Sequence, residues 1–370
     1  AFLYIIFFPT VVLIASLSFA ANRLQVDTIR LEDHKEYEPL SDVYMYIAIA
    51  CAVIFAVPSL PAIIAVLQDP SGYLDSFLYF FLVWLLGAGV ALGVKTYTSF
   101  YVKKYHKLWS EINEVEEDLP FILQSFSTYY TLNTPFEQVV DGVIDDYNKL
   151  GFHDHPVVKA FRSIKKKIET SKKDIQSIVE EESKEVFPSK KVRSVISQIV
   201  SFESVSQESA SKAARTVREQ VINTYELDDY IKTLLSDTVS MIKMTTSMLA
   251  PLLSASAVVM TFAILKSTDF ITTQIENITK AFGGGGLEIQ LIDTSQVISP
   301  IFISAVIGIY LVLVTIVLSI FETQINIGND KFRIIKNVSN NMISFLVYTV
   351  ILFGGYFFVN IVLFEGILQT

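Results

Sequence analysis

Three consecutive acidic residues, Glu116, Glu117 and Asp118, form a group whose chemistry could bind something. Neighbouring carboxylates can hold a divalent cation weakly, or they can dock a basic surface of a partner protein. The same residues at the start of a helix would instead lie in solvent, where negative charge favours the helix dipole. We therefore treat them as candidate partner-contact residues and assign no metal to them.

Two histidines, His153 and His155, flank Asp154 in a second group. Their i, i+2 spacing directly precedes Pro156 and offers no clear third ligand nearby, which a zinc site would need. The simpler interpretation is a turn between two helices. A basic stretch follows at residues 165–167 and 172–173, and it could meet anionic lipid headgroups or a nucleotide-bearing partner, or form a solvated face.

The sequence shows no pattern of catalytic residues. It has six long apolar runs, whose bounds are given below, and none of them contains Asp, Glu, Lys, Arg or His. Ion-coupled transporters usually keep an ionisable group at membrane depth, and intramembrane proteases need catalytic groups there. The four glycines at residues 283–286 are not a phosphate loop, since no Lys-Ser or Lys-Thr follows them. The single cysteine, Cys51, cannot form an intrachain disulfide. We predict a protein that is not an enzyme, with no catalytic residue, cofactor or metal.

The six apolar runs predict membrane-spanning helices, and these helices would position the charged groups described above. The chain has 370 residues, is 51% hydrophobic and carries a formal charge of −9, which argues against a nucleic-acid partner. Each run is long enough to cross a hydrocarbon core about 30 Å thick. The runs are residues 1–21, 43–67, 76–94, 244–265, 297–321 and 342–364.

The fold class that follows is an all-α polytopic membrane protein with about six transmembrane helices and one cytoplasmic antiparallel helical bundle. Residues 1–94 hold the first three spans, residues 95–243 the bundle, and residues 244–370 the last three spans. The last region includes a Gly-rich outer loop at 266–296 and an inner loop at 322–341.

Helix signals recur through the central block. Asp118 can cap a helix that starts at Leu119-Pro120, and Thr134-Pro135-Phe136-Glu137 reads as a capping box. Apolar residues then follow at three- and four-residue spacing, and a long helix runs from Gln207 to about residue 237. No alternation typical of strands is present.

The basic residues predict the orientation. The short loops at 22–42 and 322–341 each hold three Lys or Arg, whereas residues 68–75 hold none. Because cytoplasmic loops are enriched in Lys and Arg, the bundle and these two loops are expected to be cytoplasmic. Both chain ends would then lie outside, so we expect further helices upstream of this sequence.

Three stretches of this chain resemble the type II secretion F-domain family, in particular its archaeal members. Glu117-Asp118-Leu119-Pro120 and the following FILQSFSTYYTLNTPFEQVV resemble the opening of the family's bundle. TLLSDTVSMIKMTTSMLAPLLSASAVVM, with its Leu-Ala-Pro step, resembles the entry into a span. IGIYLVLVTIVLSIFETQINIGNDK resembles a Gly-Ile-Tyr span that leads to a Gly-x-Asp loop.

The resemblance implies a membrane platform protein of a type IV pilus, archaellum or type II secretion machine. Such a protein would contact a hexameric secretion ATPase on its cytoplasmic face and pilin-like subunits within the bilayer, and homo-oligomer formation stays open. A transporter or channel subunit with a cytoplasmic helical domain is the alternative. Beside the acidic run, the candidate motor contacts are the charged residues of the last inner loop: Asp330, Lys331, Arg333 and Lys336.

Overall fold

The computed structural model describes residues 31, 37–69, 76–171, 175–179, 187, 189–281, 299–328 and 330–361. Within these ranges the regular structure is helical, without a strand. The first predicted run, residues 1–21, lies outside them. Five helical stretches of the described part are long and apolar enough to cross a membrane, as expected for an all-α polytopic membrane protein: Asp42–Gln68, Phe77–Glu117, Gln207–Ile275, Pro300–Asn326 and Lys331–Ile361.

The first of these stretches consists of two helices, α1 (Asp42–Ala56) and α2 (Ser59–Gln68). They are separated at Pro58, which has no N–H to donate and whose ring crowds the preceding turn. The hydroxyl of Ser59 donates a 2.6 Å hydrogen bond to the carbonyl oxygen of Ala56, so a polar group at the break is satisfied.

Helix α3 (Phe77–Glu117) is 41 residues long and continues without a break past residue 94, where the predicted span ends. At 1.5 Å per residue it measures about 60 Å, roughly twice the thickness of a hydrocarbon core. Its glycines allow α1 to approach closely. A Cβ atom at Gly89 would lie only 2.7 Å from the carbonyl oxygen of Ala52.

Five helices of the central region pack around one hydrophobic core: α4 (Leu119–Thr131), α5 (Phe136–Lys149), α6 (Pro156–Thr170), α7 (Lys190–Glu203) and the N-terminal part of α8 (Gln207–Met244). The apolar stripe predicted on α5 is confirmed. Its six members are all buried: Phe136, Val139, Val140, Val143, Ile144 and Tyr147.

The predicted capping box at the start of α5 is wrong. The N-cap position is Pro135, and no side chain caps the helix from within this segment. The hydroxyl of Thr134 instead donates to the carbonyl oxygen of Tyr129, at the end of α4. The amide of Phe136 donates to the carboxylate of Glu203 on α7 at 2.9 Å. A tertiary contact has therefore replaced the local cap.

Helix α8 continues through a π-helical turn (Thr245–Leu249) into α9 (Ala250–Ala281). Pro251 lacks the N–H that would continue a regular α-helix, and a wider turn accommodates this. The hydroxyls of Thr246 and Ser247 donate to carbonyl oxygens of the preceding turn. The prediction of a loop from residue 266 is wrong as far as residue 281, which is helical; residues 282–298 lie outside the described ranges.

The last three helices are α10 (Pro300–Ile327), α11 (Lys331–Asn341) and α12 (Ile343–Phe358). The predicted inner loop at 322–341 is therefore mostly helix, because α10 extends six residues past the apolar run and α11 begins at Lys331. Aromatic side chains join α3 to α12, with the rings of Phe80 and Tyr356 stacked at 4.6 Å.

Candidate functional site on the long helix

Helix α3 joins the two groups of residues predicted to contact a partner. The chain positions of Glu116 and Asp330 are more than 200 residues apart. In the structure, the segment that begins at Asp330 packs on α3 through Trp109 and Asn113, and Glu116 follows within two helical turns. The sequence therefore indicated two separate sites, whereas the fold brings them onto one helix.

Asp330 is buried and makes contacts on both sides. Its Oδ1 accepts hydrogen bonds from the backbone amides of Phe332 (2.9 Å) and Arg333 (3.4 Å), so it caps the N-terminus of α11. Its Oδ2 accepts a 3.0 Å hydrogen bond from Nε1 of Trp109 and lies 3.5 Å from Nε of Arg333. Asp330, predicted to be a motor contact, is only 6% exposed.

Arg333 connects Asp330 to the acidic run. Its guanidinium group lies 4.7 Å from the centroid of the Trp109 ring and donates a 3.0 Å hydrogen bond to Oδ1 of Asn113. Nδ2 of Asn113 in turn donates a 2.6 Å hydrogen bond to Glu117. A chain of polar contacts therefore extends from Asp330 to the acidic run, and the two hydrogen bonds of Asn113 fix the orientation of its amide.

Glu116 contacts the helices of the central core. Its carboxylate accepts a hydrogen bond from the hydroxyl of Ser189, the N-cap residue of α7. Its carbonyl oxygen accepts a 2.6 Å hydrogen bond from the phenol of Tyr225 on α8. The ammonium group of Lys191 lies 4.3 Å from the centroid of the same Tyr225 ring. Glu116 thus holds α3, α7 and α8 together, and Glu117 is the exposed member of the run.

Asp118 does not cap α4 with its side chain. Its Oδ2 accepts a 2.9 Å hydrogen bond from the phenol of Tyr147 on α5 and lies 3.5 Å from Nε2 of His155. Burial, followed by the charge of Asp118, raises the pKa of Tyr147, so this phenol stays protonated and acts as the donor. His155, expected to lie in an interhelical turn, is the N-cap residue of α6 and also lies 4.0 Å from Glu114.

The cationic candidates differ in exposure. Lys331 is exposed, Lys336 is partly buried, and the Arg333 side chain is 28% exposed. Sequence reasoning missed Trp109 and Asn113. Their only signal is spacing, since Trp109, Asn113 and Glu117 follow each other at i, i+4 and therefore share one face of α3.

A second polar cluster lies where α10 meets α11. Glu322 is buried within α10, although the predicted span ended one residue before it. Nδ2 of Asn341 donates hydrogen bonds to Glu322 (3.1 Å) and to the hydroxyl of Ser319 (2.9 Å). Nδ2 of Asn337 donates to the carbonyl oxygen of Ser319 and the hydroxyl of Thr323. An ionisable group thus lies inside a stretch that is apolar enough to span a membrane.

In the part of the chain that the structure describes, no group of three His, Cys, Asp or Glu side chains is arranged to hold a metal ion. The chain matches no protein-family model, no curated protein and no solved structure. Any functional assignment therefore depends on the residues and contacts described above.

Proposed function

We propose that this chain is a non-enzymatic platform protein of the cell (cytoplasmic) membrane. It couples a cytoplasmic secretion ATPase to assembly of a type IV pilus-like filament, such as a pilus or an archaellum, or to protein secretion. The starting point is the resemblance to the type II secretion F-domain family in the three stretches quoted above. Under this proposal the chain has six transmembrane helices, and the region of residues 95–243 is a cytoplasmic antiparallel bundle.

The observation that carries the proposal is the continuity of two helices. Helix α3 runs from the apolar residues after Phe77 to Glu117, and α8 continues through the π-helical turn into α9. A helix transmits displacement along its axis, whereas a flexible linker absorbs it. A force on the bundle would therefore reach the membrane helices through two rigid connections.

The exposed charges of the bundle and the exposed apolar residues of α8 support the proposed partners. Glu117 and Lys331 give the cytoplasmic face both signs of charge, which suits steering and orientation of a motor. Nearer the apolar region, α8 exposes large side chains such as Leu227, Leu234 and Met241. These side chains suit contact with a second copy of this chain, because they belong to the region proposed to lie in the cytoplasm.

Removal of the gene in the source organism tests the proposal. Loss of a surface filament or of a secreted protein, restored by the wild-type gene, is expected. A Gly-Gly insertion after Lys103 should abolish assembly because it breaks α3, whereas the same insertion after Asn133 lies in a turn and should be tolerated. Membrane abundance is measured for both. Unchanged filaments and secretion in the deletion strain would refute the assignment.

The alternative, a transporter or channel subunit, has one observation in its favour. Glu322 is buried within α10 among the hydroxyl and amide groups of Ser319, Thr323 and Asn341. Ionisable groups within spans often mark ion pathways. Ion flux into vesicles containing the purified protein, abolished by Glu322→Gln at unchanged abundance, would favour this function. Absence of ion flux in vesicles with the wild-type protein would exclude the transporter or channel function.

A further inference from the structure

The C-terminal end of α9 carries an acceptor pattern for N-linked glycosylation, Asn277-Ile278-Thr279. The pattern requires Asn, any residue except Pro, and then Ser or Thr, because the hydroxyl residue is recognised together with the amide. Asn277 lies 12 residues after Leu265, where the apolar run ends. In a helix this separation is about 18 Å, so the amide is well clear of the hydrocarbon region.

Asn277 is exposed, and so are the neighbouring Thr273 and Gln274. Ile278, between the two residues of the pattern, is 56% exposed. The site lies in the last turns of a helix, which fray readily. An enzyme that needs an extended acceptor segment can therefore reach it.

The same pattern occurs a second time, at Asn337-Val338-Ser339, but there its side chains are buried or already hydrogen-bonded. Nδ2 of Asn337 is already used in hydrogen bonds to Ser319 (3.2 Å) and Thr323 (3.1 Å), and Ser339 is 5% exposed. The two copies also lie at opposite ends of the membrane helices. Helix α9 leads away from α8 to Asn277, whereas α10 returns to the bundle side, where Asp330 and Arg333 contact Trp109 and Asn113 of α3.

We propose that Asn277 is a site of N-linked glycosylation, added by a membrane oligosaccharyltransferase from a lipid-phosphate-linked or lipid-pyrophosphate-linked glycan. Nδ2 of Asn277 forms a bond to the anomeric carbon of the first sugar. The bond from that carbon to the phosphate oxygen breaks, and the lipid phosphate leaves with the electron pair. The amide nitrogen loses one proton, which passes to the solvent, and no oxidation or reduction occurs. The inference rests on the proposed orientation, in which the end of α9 lies outside.

Mass spectrometry of the full-length protein purified from membranes of the source organism tests the site. Trypsin releases residues 267–280 as one peptide, since no Lys or Arg lies between Lys266 and Lys280. We expect this peptide to carry a glycan mass that is lost in Asn277→Gln and in Thr279→Ala. Thr279→Ser should keep it, because the hydroxyl is retained, and Asn337→Gln should not change the glycosylation of the protein.

A parallel measurement separates failure of the site from failure of the orientation. Thr273→Cys in a Cys51→Ala background is labelled in intact cells with a membrane-impermeant thiol reagent. Labelling from outside together with an unmodified peptide overturns the glycosylation proposal and leaves the orientation intact. Labelling only after lysis overturns both the site and the topology within the proposed function. A glycan on Asn337 would also overturn the inference, since it would show the opposite side to be the modified one.

Discussion

Nε1 of Trp109 donates a 3.0 Å hydrogen bond to Oδ2 of Asp330, which lies 221 residues further along the chain. The same carboxylate caps α11 through its other oxygen, and the ring of Phe332 stacks on the Trp109 ring at 5.1 Å. One indole group thus fixes the connection between α10 and α11 against the C-terminal part of α3. A displacement of α3 would therefore also displace the segment between α10 and α11.

Trp109→Phe should destabilise the protein by about 1–3 kcal/mol, because it removes the indole hydrogen bond to Oδ2 of the buried Asp330 while an aromatic ring is retained. Thermal unfolding in detergent, followed by circular dichroism, measures the change. Trp84→Phe is the matched control, since Nε1 of Trp84 is buried with no hydrogen-bond partner in the described residues. Equal effects of the two substitutions would show that the hydrogen bond to Asp330 contributes nothing.

Of the three cations that follow Asp330, Arg333 is expected to stabilise the fold, whereas Lys331 and Lys336 are expected to contact the motor. Arg333→Glu should lower the amount of protein in the membrane. It places a second negative charge beside the buried Asp330 and removes the hydrogen bond to Asn113. Simultaneous Lys331→Glu and Lys336→Glu should leave abundance unchanged and abolish filament assembly, if these cations meet the motor. Immunoblots of membranes and filament counts separate the two effects. Normal filaments with the double reversal would exclude both lysines from the motor contact.

Periodicity predicted the local elements well. The three- and four-residue spacing after Phe136 located the buried face of α5, and the predicted long helix begins at Gln207. Both are local properties, since helix geometry alone decides which residues share a face. For the same reason each of the five apolar runs after residue 42 lies largely within a helical stretch that is long and apolar enough to cross a membrane.

What the sequence could not predict was which distant groups would meet. Thr134 had the right neighbours for a capping box, yet its hydroxyl donates to Tyr129, and Glu203 of α7 accepts from the amide of Phe136 at the start of α5. Asp330 was predicted to be a motor contact in a loop, and its burial depends on Trp109, a donor that belongs to another helix. Glu322 follows the last apolar residue of its run, and in the fold it is buried and accepts a hydrogen bond from Asn341 of α11. Tertiary pairing decides such cases.

Adjacent glycines in α12 provide a test of membrane-helix packing. A Cβ atom at Gly355 would lie 2.5 Å from a methyl group of Val259 on α9, whereas a Cβ at Gly354 would meet nothing within 4 Å. Gly355→Ala should therefore cost about 1–3 kcal/mol through overpacking. Gly354→Ala should be neutral or stabilising by up to about 1 kcal/mol, because alanine favours the helix. Thermal unfolding in detergent measures the midpoint of each variant. Equal midpoints for the two variants would show that the contact between α9 and α12 is not tightly packed.

The fragment of residues 103–237 should be soluble and strongly helical, because its core is complete without the membrane helices. Within it, Phe136→Ala should cost about 3–5 kcal/mol, since this side chain is fully buried. Urea unfolding followed by circular dichroism gives both results. Phe202→Ala is a control on a 46% exposed ring and should cost much less. A disordered or strand-rich spectrum of the fragment would contradict an independent core.

The stability of the same fragment should depend on pH through Glu203. Burial raises the pKa of this carboxyl above its ordinary value of 4.5, although the amide of Phe136 and the phenol of Tyr130 oppose the shift. The folded state therefore binds more protons than the unfolded state above that value. The stabilisation is complete below about pH 4.5 and is lost as the pH rises through the folded pKa.

Glu203→Gln should remove this component, so the difference in free energy of unfolding between wild type and variant should change between about pH 4 and pH 7. The opposite direction is expected at Glu208, whose pKa is lowered by the hydrogen bond from Lys212. Glu208→Gln is therefore the control, and its exposed position keeps its effect small. Urea unfolding at a series of pH values measures both differences. A wild-type to Glu203→Gln difference that is constant with pH would show that Glu203 titrates as it does in the unfolded chain.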